Sequence, residues 1–294
     1  IFQANQFIQL LRDVVAIPAG WATSEQHFTF DLVASSLVAV LVAVVVIGRI
    51  ERIGKLTVRL VPSMVLLYLF MTVTVMFNYA AEIPATLLLI ITDAFTGQAA
   101  AGGSIGAVIL IGVRRGAFSN EAGIGTESMA HGAAKTAEPI REGIVAMVGP
   151  VIDTLLVCTC TALIILLTGV WQTEAGIEGV TLTARAIEQV FPVTGMYLLL
   201  LMVGLLSFST MVTMWFYGVK CMGFLLGAKR QYWYTPIYLT LLLVGAVVSM
   251  DIVNGLILAT YATMAIPTMI SALYLAPKVN QAAEKYFAEL KQQK

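Results

Sequence analysis

Long apolar stretches alternate with short polar ones along nearly the whole chain. The runs at 1–17, 30–48, 60–79, 143–169, 193–226, 234–248 and 252–275 predict helices that cross a membrane, because about 20 apolar residues span the ~30 Å of a bilayer's hydrocarbon. Two further runs, 83–97 and 104–116, are each too short to cross alone. Between them lies "TGQAAAGG", a stretch of small residues with little reason to hold a helix.

Charge decides how to count that pair. Arg49, Arg52, Lys55 and Arg59 follow one span, and Arg114, Arg115, Lys135 and Arg141 follow the short pair. Lys220, Lys229 and Arg230 lie near the end of the long 193–226 run, and Lys278, Lys285, Lys291 and Lys294 fill the tail. These are fifteen of the seventeen basic residues, with only Arg12 and Arg185 elsewhere. If the pair counts as one crossing, all fifteen fall on one side, and the positive-inside rule places that side and the C-terminus in the cytoplasm. If it counts as two, the bias collapses. The pair is therefore expected to be one helix interrupted near the midplane, giving eight crossings. Irregular backbone at that depth is tolerated only beside protein or a water-filled cavity. Half-helix ends there offer N–H and C=O groups to a small ion or zwitterion. The plainer reading is a re-entrant hairpin or a small-residue packing contact.

Shorter patterns complete the outline. "EGVTLTARAIEQVFP" sets Val180, Ala184, Ile187 and Phe191 on one stripe and stops at Pro192, predicting an amphipathic helix on the outer face. Residues 278–294 set Ala283, Phe287 and Leu290 on one stripe, which predicts a cytoplasmic amphipathic tail after a transmembrane core at 1–277. Pro150 is expected to kink the 143–169 span, and Thr126 to cap a short helix running to about Lys135. The chain opens at Ile1 already inside a helical pattern, so an upstream portion is expected.

Composition agrees with the membrane reading. Of 294 residues, 59% are hydrophobic and 12% charged, the mean hydropathy is +0.89, and a soluble domain would carry roughly a quarter charged residues. Net charge is zero and says nothing about partners. Cys158, Cys160 and Cys221 lie in apolar helices without metal-ligand spacing and read as small core residues.

Ionisable and polar groups at membrane depth are the candidates for chemistry. Asp93 ends the first half-helix, and Asp153 sits in the Pro150 span beside Thr154, either as an ion contact or as a structural carboxylate bonded across helices. "GLLSFSTMVTMWFYG" gathers Ser207, Ser209, Thr210 and Thr213 in apolar company. Adjacent hydroxyls with a carbonyl one turn earlier would suit Na⁺, a hard cation, although a lone helical hydroxyl ordinarily bonds its own backbone. His27 and His131 have no partner at metal spacing, and nucleophile-elbow and phosphate-loop patterns are missing.

The run "GVRRGAFSNEAGIGTESMAHGAAKTAEPIREG", followed by "GPVIDTLLVCTCTALIIL", closely resembles the alanine/glycine:cation symporters, also called sodium:alanine symporters. "AFTGQAAAGGSIGA" and "SFSTMVTMWFYG" continue the resemblance in order. It implies an all-α integral membrane protein of the amino acid–polyamine–cation superfamily, a leucine-transporter-type bundle of two inverted repeats of five helices. This chain would be its later part, helices three to ten, with a broken sixth helix and without the broken first helix. By position, the resemblance makes Ser209 and Thr210 Na⁺ ligands together with the carbonyl of Leu206. It sets Gln3, Asn5, Ile91, Phe95 and Thr96 against the substrate. Asp93, Asn120, Glu121 and Asp153 are structural or gating candidates. Met214 stands where the family usually has tryptophan, with Trp215 one place later, and Val219 replaces a common glutamate, so both aromatic-position residues are expected to alter the substrate pocket.

What the resemblance implies is a symporter in the cell membrane that couples Na⁺ entry to uptake of a small neutral amino acid, alanine or glycine, by alternating access. Its partners would be that amino acid and the lipid bilayer, with no nucleic acid and no enzymatic activity. A proton-coupled carrier of the same superfamily is the alternative. A membrane-embedded enzyme would need paired carboxylates, or a nucleophile with its base, at mid-depth, and the chain offers neither.

Overall fold

The computed structural model describes residues 1–47, 50–95, 105–173 and 179–292. Among them every regular element is a helix. In hydrocarbon a helix satisfies its own backbone, which an isolated strand cannot do.

The helices follow the apolar runs closely. α1 (Phe2–Leu11) continues into a wider π-helical turn, Arg12–Ala16, in which the Ile17 N–H donates to the Arg12 carbonyl at 2.9 Å. Then come α2 (Phe28–Ile47), α3 (Ile50–Asn78), α4 (Ile83–Phe95) and α5 (Ile105–Asn120). A short α6 (Thr126–His131) leads to α7 (Pro139–Pro150), a π-helical stretch Val151–Cys158, and α8 (Thr159–Thr168). α9 (Val170–Thr173), α10 (Val180–Val190), α11 (Thr194–Leu226), α12 (Tyr234–Val247) and α13 (Met250–Gln292) complete the chain.

Among the described residues, five helical segments are long and apolar enough to cross a membrane by length and composition: Phe28–Ile47, Val58–Asn78, Pro139–Thr168, Thr194–Leu226 and Met250–Gln292. On α2 the two sides divide as lipid requires. Ala34, Val42 and Val46 are buried, while Val33, Leu37, Val40 and Val44 face outward. α4 and α5, with 13 and 16 residues, reach about 20 and 24 Å at 1.5 Å per residue. The break expected between them falls at 96–104, outside the described residues, as does Thr96.

Three expectations change in detail. Pro150 has no N–H to give and its ring crowds the carbonyl four residues back, so the ladder widens into the π-helical stretch that directly follows it. Thr126 is the first helical residue of α6 rather than its cap. Gly125 takes the cap at φ 98°, and the helix ends at His131, short of Lys135. α13 runs through Pro277 to Gln292 as one 43-residue helix, about 64 Å long, so the tail continues the last span.

The chain forms two compact units. The first comprises Ile1–Ile90 and Cys160–Gly255, and the second Ile91–Thr159 and Leu256–Lys294. In the first, α1, α2, α11 and α12 meet around Ile8, Val42, Val212, Trp215 and Leu242. The Tyr238 hydroxyl donates to the Met211 carbonyl. α3 brings buried Tyr68, Met71, Thr72 and Val75, and Tyr68 pairs its hydroxyl with that of Thr161 on α8. The amphipathic α10 buries Ala184 and Ile187, two of the four stripe residues, with Thr183 and Ala186 beside them.

Asn5 holds α1 to the end of α12. Its amide donates to the Gly245 and Val248 carbonyls, both at 2.9 Å, which α12's own ladder leaves without partners at its C-terminus. Asn5→Ala strips a donor from two carbonyls, so the complete protein in detergent should lose about 1–3 kcal/mol of stability. Thermal unfolding reads this directly, and an unchanged midpoint would show that water serves those carbonyls equally well.

Candidate functional site

A polar seam runs between α1 and α11 inside the first unit. Gly204 allows the two helices to close, since a Cβ there would stand 2.9 Å from the Phe7 ring. Three residues further on, the fully buried Ser207 hydroxyl donates to Gln3 Oε1 at 3.1 Å. The Ser209 hydroxyl, also buried, donates to the Leu206 carbonyl at 2.9 Å, and Thr213 donates to the Ser209 carbonyl at the same distance. Thr210 is half-buried on the next position of the helix. Ser209 and Leu206 therefore present two oxygens side by side. Back-bonding of this kind is ordinary for a helical hydroxyl. Less ordinary is its setting: one buried serine bonded to a glutamine across helices, and a second buried serine about 200° round the same helix, in a bundle where a lone polar group would be costly.

The other first-unit candidates have structural partners. Asn5 serves α12 as described. Trp215 is buried, with its indole N–H donating to Thr235 Oγ1 at 3.1 Å and its ring stacked on Tyr232. Met214, half-buried, packs against the shared core.

The second unit assembles a different polar cluster from the signature "FSNEAGIGT". Ser119 donates to Asp153 Oδ2 at 2.6 Å, and the Asn120 amide donates to Thr154 Oγ1 at 3.0 Å. The C-terminal end of α5 is thus pinned to the π-helical stretch. Asp153 accordingly has the cross-helix bond that a structural carboxylate needs. Asn120 Oδ1 also accepts from the Ala122 N–H at 2.9 Å, shaping the turn. Glu121 occupies that turn at φ 56°, a left-handed conformation uncommon for residues other than glycine. Burial raises its carboxyl above the usual carboxylate range; the facing Thr126 hydroxyl opposes the shift and nearby Glu127 reinforces it. The Thr126 hydroxyl is buried and meets no partner at full hydrogen-bond geometry, so it holds Glu121 only loosely. His131 Nδ1 and Glu142 Oε1 lie 2.7 Å apart and tie α6 to α7.

Of the remaining candidates, Ile91, Asp93 and Phe95 are exposed on the second-unit end of α4, Phe95 most of all at 88%. One cluster escaped the sequence reading. Arg12, His27 and Asp31 converge where the turn after α1 meets α2. The four-residue spacing of His27 and Asp31, one helical turn, was the available clue.

These features define a multi-pass, all-helical membrane protein with polar groups gathered inside its units. The chain belongs to the sodium:alanine symporter family, whose model matches residues 1–294, the whole chain rather than a C-terminal part. That is a family of transporters, not enzymes. The chain is 32% identical to an uncharacterized transporter of Haemophilus influenzae over 98% of its own length and 62% of the relative's. It is 34% identical to the uncharacterized transporter YflA of Bacillus subtilis, over 89% and 57%. It is 34% identical to the sodium/alanine symporter AgcS of Methanococcus maripaludis, over 83% and 54%. The chain thus spans about half the length of the curated relatives it matches.

The state of Glu121 sets a pH dependence. A carboxyl that binds its proton more readily in the fold than in the unfolded chain lowers stability as pH rises through the interval between the two pKa values. Glu121→Gln removes that loss. The variant's midpoint relative to the unaltered protein should therefore climb as pH rises above about 4.5; a constant difference would contradict the burial argument.

Proposed function

We propose that the complete protein imports a small neutral amino acid, alanine or glycine, together with Na⁺, by alternating access. The observation that carries this reading is the α1–α11 seam: hydroxyls and an amide, buried in an otherwise apolar bundle of a symporter family. Na⁺ takes hard oxygen ligands, and rotation of the Ser209 hydroxyl away from the Leu206 carbonyl would free both oxygens for an ion, with the Thr210 hydroxyl on the next position as a third. Gln3, with Ser207 behind it, offers an amide to a zwitterion. Asn5, Met214 and Trp215 would shape that pocket from the core side. The parts of Ile91, Phe95 and Thr96 in substrate contact rest on the family resemblance, as do the five-plus-five repeat and the interrupted sixth helix.

The basic loops and the C-terminus would face the cytoplasm of a cell membrane. The Ser119–Asp153 and Asn120–Thr154 ties, with Glu121 between them and α6, would then steady the inner end of the second unit as the transporter cycles. The readily protonated Glu121 favours one second reading, in which a proton replaces Na⁺ as the coupling ion.

Uptake by the complete protein decides between them. With the double variant Ser209→Ala, Thr210→Ala, the Na⁺ concentration for half-maximal alanine uptake should rise about tenfold, equivalent to about 1.4 kcal/mol of lost ion binding. Unchanged Na⁺ dependence would remove these ligands from the mechanism. Full uptake with choline in place of Na⁺ would favour the proton.

A further inference from the structure

Arg12 Nη1, His27 Nδ1 and Asp31 Oδ2 form a triangle with sides of 2.6, 2.7 and 2.8 Å. No arrangement of protons satisfies all three sides. Arginine is always a donor and the carboxylate an acceptor. If Nδ1 carries no proton, Arg12 bonds both neighbours, but the Nδ1 lone pair faces Oδ2 at 2.7 Å. If Nδ1 is protonated, His27 donates to Asp31 and two N–H groups face each other at 2.8 Å. The side chain of Asp31 is 3% exposed and its second oxygen, Oδ1, is buried without a partner.

Charge points the same way. Asp13 lies 3.6 Å from Arg12 Nε, so two carboxylates share one guanidinium while His27 is neutral. Protonation of His27 brings the cluster to zero. Around the triangle, Glu25 belongs to the intervening loop. α10, which packs on α1, carries Arg185 and Glu188, paired with each other at 3.0 Å. α11, which packs on the turn after α1, has Lys220 as its one charged residue, 26 positions beyond its start at Thr194. α12, packed on α2, has tyrosines as its titratable groups. The charged residues of α3 lie in its first three turns, which follow the far end of α2.

We propose that Arg12, His27 and Asp31 form a proton-operated latch between the turn after α1 and the first turn of α2. Uptake of a proton by His27 fixes its N–H on Oδ2 and lets Arg12 move to the orphaned Oδ1, so that both carboxylate oxygens gain a cationic donor. The latch tightens when His27 carries the proton and loosens when it gives the proton up. The geometry alone supports the latch. Its exposure to the external medium rests on the orientation proposed above, and the test in detergent does not depend on it.

Hydrogen exchange over residues 12–31 of the complete protein in detergent, corrected for intrinsic rates, reads the opening equilibrium. That equilibrium should fall between pH 8 and 5 by up to tenfold per unit, the limit for one proton, and the fall should vanish in His27→Gln. Asp31→Asn should abolish it as well, and if that variant does not fold, His27→Gln carries the test. An opening equilibrium independent of pH in the unaltered protein, or an equal fall in His27→Gln, would overturn the latch.

Discussion

A backbone N–H or C=O left facing hydrocarbon costs several kcal/mol, and that single cost shapes this protein. It makes every described element helical and turns each helix end or irregularity into a place needing a partner. The end of α12 finds one in Asn5 of α1. Pro150 breaks the ladder of its helix, and the backbone answers with a π-helical stretch instead of an open gap. The turn after α1 widens in the same manner, and the Arg12 whose carbonyl closes it carries the guanidinium that reaches Asp31.

The same cost applies to side chains, which is why the polar groups lie in a few places. In the first unit they line the α1–α11 seam; in the second they gather where α5 ends against the π-helical stretch. The hydroxyls of Ser207, Ser209, Thr213, Ser119 and Thr154 each have an acceptor. A carrier that binds an ion and an amino acid transiently needs oxygens that are satisfied when alone and can turn toward a ligand at small cost. The Ser209 hydroxyl, bonded to its own helix at Leu206, has that character.

Much of this was legible in the chain. Helix positions follow from uninterrupted apolar runs, whose ends lie within four residues of the helix ends except that α3 begins ten residues earlier and α13 ends seventeen later. The "FSNEAGIGT" signature drew attention to Asn120 and Glu121. Cap assignment was less legible: Thr126 carries the usual capping side chain, but Gly125 alone adopts the left-handed turn without strain. The amphipathic stripe of 278–294 predicts helix there, but nothing in the local pattern says that it joins the last span through Pro277 as one helix. The partners of Asn5 and Trp215 lie over 200 and 20 residues away in the chain. Local pattern has no access to such pairings, and the convergence of Arg12, His27 and Asp31 depends on how the intervening loop closes.

If sodium and substrate share the first-unit seam, each must strengthen the other's binding by the same factor, since coupling between sites is reciprocal. The most direct measurement is equilibrium binding of alanine to the complete, purified protein at graded Na⁺, paired with Na⁺ binding at graded alanine. The account predicts equal enhancement in both directions. Alanine affinity that ignores Na⁺ would contradict it.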